Sequence, residues 1–273
     1  MIVPVTKPET IEDFVRLFAT HGGTDEAYLR VHFARFVETK RRFVSHWDRA
    51  RGNKVLDVGA HWLHQAMLYA TDGFEVTALD LPITIDTDRA RQLARDYPIT
   101  LLPNADLEHP TALADFADST FDIVLFTEVI EHITFNPVAM WREIYRVLKP
   151  GGRIVVTTPN YYALRGRAWR WLRFARGMGG GVAVSDIVSR HSNTQHWKEY
   201  SLRELIQYFT LLSPDFACHD ATHVEAYPKK RQNKRGSSIV LSVEHVIPIL
   251  RPDVYLEVEL PRKEKGIVIE PNW

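Results

Sequence analysis

The run from Phe121 to Asn160, FDIVLFTEVIEHITFNPVAMWREIYRVLKPGGRIVVTTPN, leaves this chain few folds to choose from. Ile123–Phe126 and Ile154–Val156 are short, apolar and largely β-branched, as strands covered on both faces must be. Between them Trp141, Ile144, Tyr145 and Leu148 recur at helical spacing, and Pro150-Gly151-Gly152 makes a turn. Strand, amphipathic helix and strand form a βαβ unit, and a parallel sheet places its ligands just beyond the carboxyl ends of its strands. Glu128, Glu131 and His132 begin where the first strand ends.

The same alternation runs upstream. Lys54–Val58, Glu75–Leu79 and Ile99–Leu102 read as short buried strands, with helices predicted over roughly His61–Ala70, Asp88–Arg95 and Thr111–Phe116. Five strands alternating with helices predict an α/β protein with a doubly wound, mainly parallel, Rossmann-like sheet. Thr10 with Asp13 forms a capping box ahead of an apolar face of Ile11, Phe14, Val15 and Phe18, and a second helix is predicted from Asp25 to about Arg49. Residues 1–50 are therefore an N-terminal helical segment. After Asn160 the alternation breaks: Tyr161–Gly181 is rich in arginine, tryptophan and glycine, and Val182–Gln195 has no clear period. Residues 161–196 read as an inserted lid or substrate-binding segment. Ser201 and Glu204 make another capping box before Leu202, Leu205, Ile206 and Phe209, so 51–160 and 197–273 constitute the core domain. The tail offers strands at Phe216–His219, Ser238–Val243 and Val254–Glu259, with Lys229–Arg235 a solvated basic loop.

Composition removes several classes. Lysine plus arginine equals aspartate plus glutamate at 34 each, so the global field favours neither nucleic acid nor an acidic membrane. The single cysteine, Cys218, excludes an intramolecular disulfide framework and a cysteine-rich zinc site. No segment approaches the roughly 20 apolar residues that span a bilayer, and MIVPVTKPET has no targeting pattern, so a cytoplasmic protein is expected.

Three aspartates stand where successive strands end: Asp57 before Val58-Gly59, Asp80 after EVTAL, and Asp106 in LLPNADL. In doubly wound folds an acidic residue about 20 positions beyond the first glycine turn binds a ribose hydroxyl. Asp80 lies 21 positions beyond Gly59. A carboxylate suits the role because it accepts from two vicinal hydroxyls at once.

KVLDVGA, EVTALD, NADL, FDIVLFTEVIEHI and LKPGGRIVVTTPN in this order resemble the class I S-adenosylmethionine-dependent methyltransferases, over about residues 54–160. The resemblance implies S-adenosylmethionine as cofactor and an enzyme that transfers its methyl group. Gly59 and Ala60 would approach the methionine part, Asp80 would hold the ribose, Asp106 would contact the adenine amino group, and Thr127 and Glu128 would lie beside the sulfonium end, with Asp57, His61, Leu81 and Leu107 also binding the cofactor. One departure stands out. The family's first loop carries two or three alternating glycines, whereas here it reads Gly59-Ala60-His61-Trp62-Leu63. Glycine permits positive φ and close backbone approach, which histidine and leucine tolerate poorly. A non-catalytic binding protein on the same fold is the reading this departure motivates.

Glu128, Glu131 and His132 have spacing i, i+3, i+4, so a helical turn would project all three from one face. Two carboxylates and an imidazole form half a shell for a divalent ion such as Mg or Mn, with His196 or His191 able to complete it. TEVIEHI with the later RHSNTQHWKEYSLREL is similar to the small-RNA 3′-terminal 2′-O-methyltransferases. That resemblance implies Glu128, Glu131, His132 and His196 as metal ligands. Glu-x-x-Glu-His also occurs in metal-free small-molecule methyltransferases resembling those of quinone biosynthesis, where it shapes the pocket or moves protons. His132 is then the expected general base, with Glu128 and His196 the other catalytic residues. The segment from Tyr161 interleaves Arg165, Arg167, Arg170, Arg173 and Arg176 with Trp169, Trp171 and Phe174. It suits a phosphorylated or nucleotide-linked acceptor, or a basic helix whose arginine stems cover apolar surface. The expected reaction is O-methylation of a small molecule or glycan in secondary metabolism or envelope synthesis. An RNA 3′ end is the alternative acceptor.

Overall fold

Thr10 Oγ1 accepts from the Asp13 N–H at 3.2 Å and the Asp13 carboxylate accepts from the Thr10 N–H at 3.0 Å, closing the capping box that starts α1 (Ile11–Thr20). Its buried stripe is Phe14 and Phe18, which pack with α2 (Glu26–Val44) through the Phe14–Phe33 ring pair. The second helix was expected to reach Arg49, but it stops at Val44. Asp48 instead caps a separate 3-10 turn, Arg49–Arg51, accepting from the Ala50 N–H at 2.9 Å. This computed structural model describes residues 10–21, 26–103, 106–164, 175–177, 182–191, 194–224 and 242–271.

Seven strands follow: β1 (Lys54–Val58), β2 (Glu75–Leu79), β3 (Ile99–Leu102), β4 (Phe121–Thr127), β5 (Leu148–Pro159), β6 (Ala217–Val224) and β7 (Asp253–Leu260). They form one sheet in the order β3-β2-β1-β4-β5-β7-β6. β1 pairs in parallel with β2 and β4, and β2 with β3; β7 runs antiparallel to both β5 and β6. The doubly wound, mainly parallel sheet is present, with an antiparallel β7 between β5 and β6. Its helices are α3 (His64–Ala70), α4 (Pro82–Ile85), α5 (Asp88–Asp96), α6 (Val138–Val147), α7 (Val184–Ser189) and α8 (Leu202–Leu212).

Some local expectations give way. The helix expected from His61 starts at His64, because the residues before it take left-handed backbone angles. Thr111–Phe116 is a 3-10 turn over Thr111–Leu113. Residues 242–246 are helical, with the Ile247 N–H donating to the Val243 carbonyl at 2.8 Å, so Ser242 and Val243 do not lie in a strand. A short apolar run does not distinguish strand from helix by period alone. Arg165, Arg167, Arg170, Arg173, Trp169, Trp171, Phe174 and the stretch Lys229–Arg235 lie outside the described residues.

The chain divides into two units, one comprising residues to Leu125 with Arg146–Lys149, the other Phe126–Tyr145 with Pro150 onward. In the first, Phe18, Leu29, Phe43, Val55, Leu56, Met67 and Leu93 form the core. In the second, Trp141, Ile154, Val156, Leu205, Phe209 and Leu256 do so, and the buried Trp141 indole donates to the Tyr208 hydroxyl at 2.7 Å. Asp215 ties the C-terminal segment down. Its Oδ2 accepts from the Tyr145 hydroxyl at 2.6 Å and from the N–H groups of Glu264, Lys265 and Gly266 at 2.9, 2.6 and 3.2 Å. Among the described residues no helix is long and apolar enough to cross a membrane.

Candidate functional site

In the first unit β1 ends in a loop of alternating handedness. Gly59, His61 and Leu63 have φ of 75°, 48° and 65°. Left-handed backbone suits glycine and costs other residues about 1–2 kcal/mol. The loop thus keeps the alternating conformation of a glycine-rich turn with side chains at two of the three positions. Hydrogen bonds hold it. The Gly59 and Ala60 N–H groups share the Leu79 carbonyl at 2.9 and 3.2 Å, the His61 N–H donates to Asp80 Oδ2 at 2.6 Å, and the Leu63 N–H donates to the Ala60 carbonyl at 2.8 Å. Leu63 is fully buried at the start of α3.

Asp57 is buried in β1, and its Oδ2 has no hydrogen-bond partner among the described residues. Burial first, and the neighbouring Asp80 charge second, push its pKa up to about 8. Asp80, half-buried at the end of β2, accepts the His61 N–H on Oδ2, and the Leu81 N–H and Thr84 hydroxyl on Oδ1 at 2.6 and 2.9 Å. A carboxylate offers about four acceptor positions, so a position remains for a ligand hydroxyl. Leu81, half-buried, precedes α4. Asp106 is exposed and turned on its own chain: Oδ1 accepts from the Glu108 and His109 N–H groups at 3.0 and 3.1 Å, and Oδ2 meets the His109 ring at 3.1 Å. The His109 N–H is the main reason its carboxyl sits below the usual carboxylate range. Leu107 beside it is half-buried.

In the second unit Thr127, half-buried, closes β4, and Glu128 turns the chain with φ 58°, its N–H donating to the Thr157 carbonyl at 2.8 Å. Its left-handed angle sets Glu128 outside the 3-10 turn Ile130–His132, so the three acid and histidine side chains do not share one helical turn. Glu131 is fully buried; its Oε2 accepts from the Thr158 hydroxyl at 2.9 Å and its carbonyl from the Trp197 N–H at 2.7 Å. His132 Nδ1 lies 2.9 Å from the Gln195 carbonyl. A carbonyl only accepts, so Nδ1 carries the proton and Nε2 keeps its lone pair in the neutral ring. That Nε2 is 3.9 Å from Glu131 Oε1, and the His196 ring meets the His132 ring edge-on at 4.8 Å between centroids.

One ligand atom each from Glu131, His132 and His196 lies within 4.8 Å of the others. Glu128 is not in this group, nor is His191, which is exposed. Sequence reasoning passed over Thr158 and Gln195, the two residues that orient Glu131 and His132. The signal was faint: a threonine in the last residues of β5 and a glutamine adjoining His196. The trio can accept a proton at Nε2, or offer one carboxylate oxygen and two imidazole nitrogens to a divalent ion. A ligating histidine ordinarily donates its other ring N–H to a carbonyl or carboxylate, as His132 does.

Residues 56–156 match the model of a methyltransferase domain. Over 122 residues the chain is 30% identical to phosphoethanolamine N-methyltransferase 3 of Arabidopsis thaliana, covering 44% of this chain and 24% of that protein. Over 158 residues it is 30% identical to the ubiquinone biosynthesis O-methyltransferase of Idiomarina loihiensis, covering 56% of this chain and 61% of that one. The chain therefore spans less than two thirds of either relative. The fold matches Burkholderia thailandensis 1,6-didemethyltoxoflavin-N1-methyltransferase, solved with bound 1,6-didemethyltoxoflavin and S-adenosylhomocysteine, at a TM-score of 0.55 and 16% identity over 96% of this chain and 95% of that one. The chain thus has the fold of that S-adenosylhomocysteine-bound methyltransferase, and its residues 56–156 resemble a methyltransferase domain.

Proposed function

We propose that this chain transfers the methyl group of S-adenosylmethionine to a hydroxyl of a small-molecule or glycan acceptor. Two features of the first unit suit the cofactor: a buried Asp57 carboxyl with one oxygen unpartnered among the described residues, and a loop that holds the left-handed form without alternating glycines. Asp57, Gly59, Ala60, His61, Asp80, Leu81, Asp106 and Leu107 would hold it. When bound, S-adenosylmethionine supplies an electrophilic methyl group. The chain's own task is to bind, to exclude water and to take the acceptor's proton.

The observation that carries the reading is the Nδ1–H bond from His132 to the Gln195 carbonyl, which puts the neutral ring's lone pair on Nε2, 3.9 Å from the buried Glu131 carboxylate. His132 is the general base, with Glu128 and His196 as the further catalytic residues. In a screen of phenols, sugars and their phosphates for S-adenosylhomocysteine production, His132→Gln should lower turnover by about 10²–10⁴ while cofactor affinity stays within twofold. Equal loss of cofactor affinity would show that His132 serves binding instead.

A second reading has its own support. The convergence of Glu131, His132 and His196 suits a Mg or Mn ion, with Glu128 as an additional ligand on rearrangement, and the acceptor is then a vicinal diol such as an RNA 3′ ribose. Such an ion lowers the pKa of a bound hydroxyl. Equilibrium dialysis with Mn separates the readings: stoichiometric uptake lost in His196→Ala supports the ion, and no uptake leaves His132 as the base.

A further inference from the structure

The loop after β1 carries two side chains in conformations that glycine adopts freely, and the two are not held alike. Leu63 is held by full burial and by its place ahead of α3. His61 is half-exposed, and its N–H bond to Asp80 fixes only the backbone at one end. Its ring packs on Trp62 at 4.0 Å between centroids. Both rings then meet Tyr28 of α2, each at 5.3 Å, with Trp62 edge-on at 87°. Tyr28 also packs on His32 at 4.3 Å and stacks on His64 at 5.9 Å. Tyr28 thus touches every ring of the segment from His61 to His64. His64, buried against Phe18 and Phe36, completes this wall, and burial first, then the charges of His61, Arg89 and His32, lowers its pKa to about 3. It stays neutral across any ordinary working pH.

We propose that Tyr28 is a positioning residue for the cofactor loop: packed on His61, Trp62 and His64, it maintains the left-handed course of Gly59–Leu63 in place of two glycines. The ligand-binding consequence rests on the cofactor reading above; the conformational consequence does not. Aromatic rings supply directional contacts that an aliphatic side chain of similar bulk lacks. The replacement is therefore a matter of ring geometry as well as filled volume. A glycine at 61 and 63 would make the support unnecessary.

The test uses Tyr28→Phe, Tyr28→Leu, the loop variant His61→Gly/Leu63→Gly, and that variant combined with Tyr28→Leu. Leucine keeps bulk in the wall, so the fold survives where alanine would open a gap. Amide exchange of residues 60–64 without ligand is the first readout. Tyr28→Leu should speed it about tenfold and Tyr28→Phe less than twofold, and Tyr28→Leu should add nothing in the glycine background. Titration with S-adenosylhomocysteine is the second, with the same order of effects on affinity. Unchanged exchange in Tyr28→Leu, or an equal loss in the glycine background, overturns the proposal. An exchange response without cofactor binding by the unaltered protein sustains the positioning role and sinks the cofactor reading instead.

Discussion

The main-chain N–H of His61 donates to Oδ2 of Asp80 at 2.6 Å, tying the loop after β1 to the end of β2. The aspartate expected to grip a ribose therefore also shapes the loop expected to meet the rest of the cofactor. Its other oxygen accepts from Leu81 and Thr84, so three groups of the chain depend on one carboxylate.

Asp80→Ala should consequently cost both binding and stability. It strands half-buried donors, a loss of about 1–3 kcal/mol, and should weaken cofactor affinity at least tenfold. Calorimetry and urea unfolding on the same preparation check this. Stability loss with unchanged affinity would confine Asp80 to the loop.

Asp57 sets a pH dependence of opposite sign to that of a paired carboxylate. Its folded pKa of about 8 lies above the ordinary 3.8, so between these values the folded state binds the extra proton. Stability from this group falls as pH rises from about 4 to about 8, by at most about 1.4 kcal/mol per pH unit. Asp57→Asn should flatten that slope in urea titrations at pH 5 to 8. A slope that persists in the variant would assign it to another group.

The Thr158 hydroxyl orients the buried Glu131 carboxylate at 2.9 Å. Thr158→Val keeps the shape and removes the bond. Turnover should drop about tenfold and stability by about 1–3 kcal/mol, with S-adenosylhomocysteine affinity unchanged. Full activity in this variant would separate Glu131 from the chemistry.

Asp215 shows the more familiar sign. Burial raises its pKa, but the Tyr145 hydroxyl and three backbone N–H groups outweigh that and hold it at about 2. The stability it contributes is present above about pH 4 and lost as pH falls toward 2. Asp215→Ala should cost about 2–4 kcal/mol at neutral pH and release residues 262–266 to rapid amide exchange. Exchange that stays slow there would mean that other contacts hold the tail.

The sheet was legible because its strands are short β-branched runs at regular spacing, and the capping boxes at Thr10 and Ser201 were legible because their chemistry is local. The antiparallel β7 was not, since pairing direction is set by connections rather than by strand composition. The places of Asp57 and Asp80 at the ends of β1 and β2 follow from the strand pattern, and the sequence's candidate set already held Glu131, His132 and His196, which the structure brings together without Glu128. Backbone handedness did not show itself. Histidine, leucine and glutamate at His61, Leu63 and Glu128 argue against positive φ, and it takes Asp80, the buried pocket around Leu63 and the Thr157 carbonyl to hold them there. Thr158 and Gln195 escaped notice for a related reason: each acts through a bond to a residue far away in sequence.

Calorimetric titration of the metal-stripped protein with S-adenosylmethionine, with and without Mg or Mn, tests the central claim most directly. The account predicts one-to-one binding in the micromolar range without metal, weakened at least tenfold by Asp80→Ala. No binding in either condition would contradict it and leave a methyltransferase fold that serves as a binding protein.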